Sequence, residues 1–304
     1  MAQKEVKGRI ASVKNIQKIT RAMEMMAAAR LRRAEQRIEA LRPYARAIRR
    51  MTRQAAEAAG NVPNLPILNE HESETKVGLL LFTGDRGLAG AFNSQIVRSA
   101  TRAGAEYQAE GKQPVYFASG RRGISSLQFR QLDPQGAWQG FTDRPSYADA
   151  RDIATELIAA YVDGKVDRVE VFYNHYVSPL SQVLTRETLL PLQQASIMES
   201  HDGDGEGEDG GERQNGGQRA LVEYEPDPED ILERLIPAYV EISIFRALLE
   251  STASEHGARM TAMRSASDNA GDIIADLTLQ MNRERQAEIT QEIMEVVAGA
   301  ESLT

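Results

Sequence analysis

The N-terminal stretch VKGRIASVKNIQKITRAMEMMAAARLRRAEQRIEALRPYARAI, residues 6–48, repeats apolar side chains at alternating steps of four and three residues. This is the heptad spacing of a coiled coil, in which one row of side chains, the seam, faces a partner helix. The seam positions, mostly apolar, are Val6, Ile10, Val13, Gln17, Thr20, Glu24, Ala27, Leu31, Ala34, Ile38, Leu41, Ala45 and Ile48. The spacing predicts one helix from about residue 3 to residue 57, roughly 80 Å long at 1.5 Å per residue.

The N-terminal helix pattern is interrupted at two places. Three consecutive seam positions, Gln17, Thr20 and Glu24, are polar. Polar seam residues reduce the stability of a coiled coil, so we interpret this stretch as one that leaves its partner helix and faces something else. Pro43 removes a backbone N–H donor and predicts a kink or local irregularity. The glycine and prolines of GNVPNLP, residues 60–66, predict the end of the helix.

The C-terminal part of the chain has the same character. Residues from about 229 to 298 predict a second helix, about 100 Å long, that pairs antiparallel with the first. Its seam positions are Ile242, Phe245, Leu249, Ala253, His256, Met260, Met263, Ser267, Ala270, Ile274, Leu277 and Met281. Beyond Met281 the steps become four and four through Arg285, Ile289 and Ile293. Such a stutter relaxes supercoiling and predicts a straighter, single helix at the end of the chain.

The sequence between the two helices predicts an α/β domain. Apolar runs predict strands at residues 76–83, 114–119, 166–173 and 181–190, and residues 91–110 and 148–162 predict helices. Strands that alternate with helices indicate a parallel or mixed sheet. The predicted fold is therefore α/β, a long antiparallel coiled coil of the terminal helices plus a central Rossmann-like domain. Its expected parts are residues 1–59, 70–225 and 226–304, with the acidic, glycine-rich residues 199–217 as a flexible surface loop.

Charge is distributed unevenly along the chain. The net charge is −8, but residues 1–57 carry a net +10 and the remainder −18. A basic arm of this kind binds nucleic acid, an anionic membrane surface or an acidic protein partner, and its sign alone does not choose among them. The absence of cysteine excludes disulfides and thiolate chemistry. The N-terminus has no apolar segment of the secretory type, so a cytoplasmic location is expected.

One loop resembles a ligand-binding loop in its position. Gly84, Gly87 and Gly90 follow an apolar strand and open a helix. Their spacing matches neither a Walker A loop nor the dinucleotide fingerprint, and the carboxylate of Asp85 would repel phosphate. A structural turn is favoured over a nucleotide site. The histidines, His71, His175, His201 and His256, show no metal-ligand spacing on one element. We predict no catalytic residue, cofactor or metal.

Four strings carry a resemblance to a known family. They are RIASVKNIQKITRAMEMMAAARLRRA at residues 9–34, DRGLAGAFN at 85–93, FYNHYVSPLSQ at 172–182 with LLPL at 189–192, and the C-terminal run from Met260, which includes NRERQAEITQEIMEVVAGAESL. Together, in this order, they resemble the gamma subunits of bacterial F-type ATP synthases. The resemblance covers essentially the whole chain.

The resemblance implies a rotor subunit without a catalytic site of its own. One such subunit per complex places its terminal helices inside a ring of three alpha and three beta subunits. Its rotation couples proton or sodium flow to ATP synthesis or hydrolysis on beta. The α/β domain would contact the epsilon subunit and the c-ring, at the cytoplasmic face of the bacterial inner membrane. Membrane association would occur only through the complex, and no nucleic acid would be bound.

Two groups of contact residues follow from the resemblance alone. Residues that match the contacts to the acidic catch loop of beta are Arg285, Gln286, Met23, Lys18 and Arg21. Residues that match the apolar bearing at the top of the ring are Ile293, Val296, Val297 and Leu303. Two alternatives remain: a coiled-coil adaptor that binds nucleic acid or membrane through the basic arm, and an α/β enzyme that uses the glycine loop.

Overall fold

The computed structural model describes residues 3–59, 66–192 and 228–301. The predicted acidic loop, residues 199–217, and Leu303 lie outside this range. Helix α1 spans Gln3–Ala59, and the last helix, α5, spans Pro228–Glu301. At 1.5 Å per residue they are about 85 and 110 Å long. The predicted first helix is present up to Ala59, the last described residue before position 66, and α1 and α5 continue through Pro43 and Pro237.

The two long helices pair antiparallel, as predicted. Val6 and Ile10 at the start of α1 pack with Leu277 near the end of α5. In the middle, Leu31 and Ala34 pack with Ala253. Residues later in α1 pack with residues earlier in α5: Ala45 and Ile48 with Ile242. The seam identified in the sequence is therefore the buried interface of the coiled coil.

The polar part of the seam remains at this interface. Gln17 donates from Nε2 to the Ser267 carbonyl oxygen at 3.2 Å, and Glu24 accepts from Arg264 Nε at 2.8 Å. Thr20 is buried and donates to the Gln17 carbonyl oxygen of its own helix. The expectation that the helices separate there is wrong, because these polar groups find hydrogen-bonding partners across the seam and within α1.

The α/β domain between the long helices is a five-stranded sheet covered by helices. Its elements are β1 (Lys76–Phe82), α2 (Phe92–Ala109), β2 (Gln113–Ser119), α3 (Arg121–Phe129), β3 (Gly136–Trp138), α4 (Tyr147–Val162), β4 (Arg168–Ser178) and β5 (Ser181–Leu190). The strand order is β3-β2-β1-β4-β5. The first four strands are parallel, and β5 pairs antiparallel with β4. The predicted mixed α/β class is confirmed.

Strand β1 has apolar side chains on both faces, as the central strand of a covered sheet requires. Leu79 and Leu81 face a cluster built with α2. Leu80 and Phe82 face the opposite cluster, which contains α4 and also Leu232, Ile236, Val240 and Ile244 of α5. The first part of α5 therefore packs against the sheet of the α/β domain, and the same helix continues into the coiled coil. This shared helix joins the two parts of the fold.

Three elements were not predicted, one of them a 3₁₀ helix at Pro66–Leu68. Strand β3 has three residues, too few to show an apolar alternation, and α3 is a nine-residue helix with a glycine in it. Strand β4 also continues to Ser178, five residues beyond the predicted end. Its extension forms a hairpin with β5 that reaches the coiled coil, where Tyr176 packs beside Leu31 and Ala34.

Candidate partner-binding surfaces and the glycine loop

The glycine loop stands at the place where Rossmann-like domains bind ligands. In parallel sheets that place is the crevice beyond the carboxyl ends of the strands, where the strand order reverses. Here the reversal lies between β1 and β4. Side chains of α5 fill this crevice: Ser251 Oγ donates to the Phe82 carbonyl oxygen at 3.3 Å, and Ser254 Oγ donates to the Asn174 carbonyl oxygen at 2.8 Å.

A carboxylate of α5 contacts the loop itself. A Cβ atom on Gly84 would lie 2.6 Å from the Glu255 carboxyl carbon, so any larger residue there would displace this carboxyl group. Glu255 is 1% exposed and pairs with Arg259 of the next turn, which also donates to the Gly87 carbonyl oxygen at 3.4 Å. The loop therefore receives an internal carboxylate where a phosphate-binding loop would receive a ligand. These contacts are consistent with the interpretation as a structural turn.

The surroundings of His256, on α5 beside the glycine loop, keep this histidine neutral. Burial, reinforced by the charge of Arg259, lowers the pKa of His256 to about 4. Burial raises the pKa of the Glu255 carboxyl, against the lowering effect of Arg259. Asp85 stays on the surface side of the loop, where its Oδ2 accepts from the Gly140 backbone N–H at 2.9 Å and its Oδ1 from Arg121 N–H at 3.0 Å. Among the described residues, no group of histidines and carboxylates is arranged to hold a metal.

The predicted contact residues of α1 lie halfway along the coiled coil. Lys18 and Arg21 are exposed. Met23 is half-buried and lines a cavity of about 230 Å³ with Arg86 and Leu88 of the glycine loop. The neighbouring Glu24 pairs with Arg264. Arg285 lies 21 residues farther along α5 than Arg264, about 30 Å at 1.5 Å per residue. The structure therefore does not bring the two predicted catch-loop groups together on this chain.

The end of α5 extends beyond the start of α1. Every residue from Arg285 to Ala298 is exposed, including Arg285 and Gln286. We call residues 285–298 the overhang. Its exposed apolar side chains include three of the predicted bearing residues and are Ile289, Ile293, Met294, Val296 and Val297, with exposed fractions of 47 to 72%. Exposed apolar rows of this kind mark surfaces that bind a partner.

Sequence reasoning missed a second apolar row on α1. Ile16, Ile19 and Met26 are each more than half exposed, and with Met23 they repeat the steps of three, four and three that the seam shows one position later. Leu88 of the glycine loop, 67% exposed, lies beside the C-terminal end of this row. The signal was present in the sequence as four apolar residues at helical spacing, each directly before a seam position.

Within the described residues, no helix has an apolar stretch long enough to cross a bilayer. The exposed features are instead the overhang, the second apolar row and the basic side chains of α1. An elongated coiled coil packed against an α/β domain, with the crevice of that domain filled from within, defines a structural subunit that works through contacts with other chains.

Comparison with known proteins gives the family. The family profile described as ATP synthase matches residues 2–303. The ATP synthase gamma chain of Streptomyces avermitilis is 42% identical over 301 residues, which cover 98% of this chain and 94% of the relative. That of Rubrobacter xylanophilus is 41% identical over 302 residues, covering 99% of this chain and 98% of the relative.

Solved structures show the same fold. A chain of the Euglena gracilis mitochondrial ATP synthase, in an assembly of OSCP, F1 and c-ring, superposes with a TM-score of 0.66 at 17% identity, covering 99% of this chain and 94% of that one. A chain of the Tetrahymena thermophila central stalk and c-ring gives 0.59 at 24% identity, covering 82% and 99%. The chain belongs to the ATP synthase gamma chain family, the non-catalytic central-stalk rotor subunits of that enzyme.

Proposed function

We propose that this subunit turns inside a ring of three alpha and three beta subunits and makes the beta catalytic sites differ, thereby coupling proton or sodium flow to ATP synthesis or hydrolysis. The observation that carries the proposal is the overhang, a single helix with five exposed apolar side chains. A solitary helix with an apolar surface gains stability from an enclosing apolar sleeve. The bearing contacts are assigned to Ile293, Val296, Val297 and Leu303.

The basic side chains supply the contacts to beta. Arg285 and Gln286 are exposed at the base of the overhang, and Lys18 and Arg21 are exposed on α1. Arginine forms paired hydrogen bonds with carboxylates, which suits the acidic catch loops of beta. Since the two groups are about 30 Å apart along the stalk, they contact different heights of the ring, or different beta subunits. A shaft shifts the conformation of a subunit only through contacts that differ between its states.

The α/β domain is the foot of the shaft. It joins the coiled coil at the end opposite the overhang, where Leu232 and Ile236 of α5 are buried against the sheet. We assign it the contacts with the epsilon subunit and the c-ring. Residues 1–59, 70–225 and 226–304 remain the proposed division of the chain. The complex would hold this subunit peripherally at the cytoplasmic face of the bacterial membrane.

Reconstitution with alpha and beta subunits tests the shaft. ATPase activity is expected to appear only in an assembly with a 3:3:1 ratio. If the subunit neither joins the ring nor changes the ATPase turnover of the ring, the proposal is contradicted. Binding of polyanions by the basic arm is then the alternative to test.

A double variant tests the catch-loop contact. Arg285→Ala with Gln286→Ala is expected to lower the ATPase rate of the ring about tenfold, equivalent to about 1.4 kcal/mol of activation free energy. The matched control is Gln95→Ala with Arg98→Ala, two exposed residues of α2 in the foot. Unchanged ATPase and proton pumping in the first variant would show that these two residues do not contact beta.

A further inference from the structure

A second, larger cleft lies beside the coiled coil at the level of the α/β domain. Its volume is about 390 Å³, within the range of sites that hold small molecules. Its walls come from α1, from the end of β4 and from α5, and its floor is apolar, formed by Ile38, Ala45 and Leu249. The cleft begins 12 residues C-terminal to Met23 in α1, about 18 Å farther along the helix. It therefore lies outside the contacts assigned to the ring.

Basic side chains are concentrated at one end of the cleft. Arg42, Arg46 and Arg49 of α1 line it at steps of four and three residues, which places them on one face of the helix over about 10 Å. Arg246 lines the cleft from α5 and lies 3.0 Å from Glu187. In the described part of the chain, none of the three α1 arginines is within ion-pair distance of a carboxylate. Such a row of like charges favours an anionic ligand.

The other end of the cleft has acceptors and an aromatic ring. Glu35 and Glu39 line this end, and Glu35 accepts a hydrogen bond from the Tyr176 hydroxyl. Across the cleft, His175 Nδ1 lies 2.6 Å from the buried carboxylate of Glu250, which fixes that wall. Carboxylates here repel a second anionic group but accept hydrogen bonds from amino and hydroxyl groups. The cleft is therefore polarised along its length.

We propose that this cleft binds a nucleoside diphosphate or triphosphate, with its phosphates along Arg42, Arg46 and Arg49 and its base over the apolar floor beside Tyr176. Guanidinium groups match phosphates bidentately, and a planar base suits an apolar floor with an aromatic wall. Glu35 and Glu39 accept from the sugar hydroxyls and the base. This site is separate from the glycine loop and does not depend on the proposed rotor function.

Calorimetric titration of the purified full chain tests the site with three probes: ADP, adenosine and inorganic phosphate. ADP is expected to bind at least tenfold more tightly than either fragment, because only ADP reaches both ends of the cleft. The variant Arg46→Gln with Arg49→Gln is expected to weaken ADP binding at least tenfold. The matched control, Arg32→Gln with Arg33→Gln, changes two exposed arginines of the same helix outside the cleft and is expected to retain it.

A second variant leaves the charges intact. Val177→Trp, at an exposed position of the cleft wall, fills the space and is expected to abolish ADP binding while circular dichroism and the thermal transition stay close to those of the unmodified chain. Absence of ADP binding at millimolar concentration, equal affinity for phosphate and ADP, or equal loss in the Arg32 and Arg33 control would each overturn the proposal.

Discussion

Glu255 shows how a single side chain can replace a ligand. It occupies the crevice at the end of β1, and its charge is matched by Arg259 of the same helix. Removing one member of a buried pair leaves the other charge uncompensated, which costs about 3–5 kcal/mol. Glycine at position 84 allows this close approach of a carboxylate to the backbone.

Gly84→Ala is expected to destabilise the chain by about 2–3 kcal/mol, since its methyl group would overlap the Glu255 carboxyl group. The control is Gly8→Ala in α1, where nothing lies within 4 Å of an added Cβ. There alanine favours the helix by about 0.5–1 kcal/mol. Urea unfolding of both variants gives the two free energies. Equal effects would refute the role assigned to the contact at Gly84.

The hydrogen bonds of Asp167 are expected to make the free energy of unfolding depend on pH in the acid range. Burial alone would raise its pKa, but hydrogen bonds from His71, from the Lys76 and Thr75 backbone and from the Thr75 hydroxyl lower it to about 2. The pKa of an aspartate side chain in an unfolded chain is about 3.9. The contribution is therefore fully present above pH ~4 and lost as the pH falls toward about 2.

The variant Asp167→Asn is expected to cost about 2 kcal/mol at neutral pH, because four hydrogen-bond donors lose a charged acceptor. The difference from the unmodified chain should shrink below pH 4. Exposed Asp152→Asn serves as the control for the charge change. Urea unfolding at pH 7, 4 and 3 measures this difference, and a gap that stays constant with pH would exclude the carboxylate as its source.

At the scale of elements, α5 has three different surroundings along its length. Its first turns are buried against the sheet by Leu232 and Ile236. Its middle pairs with α1, and the overhang has no buried residue from Arg285 to Ala298. The contribution of each part to the stability of the isolated chain should follow this order of burial.

Removal of residues 289–304 is expected to change the free energy of unfolding by less than about 0.5 kcal/mol, because the described residues removed are exposed. Leu277→Ala, which opens the contact with Val6 and Ile10, is expected to cost about 2–3 kcal/mol. Thermal unfolding distinguishes the two. The truncated subunit should nevertheless fail to support normal ATPase activity in the ring, and full activity would contradict the bearing assignment.

At the scale of the whole molecule, the register of the coiled coil sets the height of every contact. Glu24 and Arg264 lie side by side, with Oε1 and Nε 2.8 Å apart, whereas Arg285 is about 30 Å farther along. The two groups of proposed beta contacts are therefore separated by the length of a small domain.

Cross-linking tests this register directly. The chain has no cysteine, so introduced thiols are the only ones that react. Glu24→Cys with Arg264→Cys is expected to cross-link within one chain through a short bis-maleimide, while Glu24→Cys with Arg285→Cys should not. Electrophoretic mobility after protease cleavage between the helices reports the link. The opposite pattern would require a different register.

The sequence by itself determined the two long helices, their antiparallel pairing and most of the sheet, because heptad spacing and apolar runs are local and periodic. The second apolar row of α1, from Ile16 to Met26, is also visible in the sequence at helical spacing. The short elements α3 and β3 have too few residues to show a period. Arg285, Gln286 and the bearing residues came from family resemblance, not from spacing.

Only the tertiary structure decided how polar groups are satisfied. The sequence favoured separation of the helices at Gln17 and Glu24, yet these residues find Ser267 and Arg264 across the seam. Likewise the spacing of the glycine loop could not show that Glu255, 171 residues from Gly84, fills its crevice. Partners of buried polar and charged side chains are distant in the chain and depend on the packed geometry, so no local pattern specifies them.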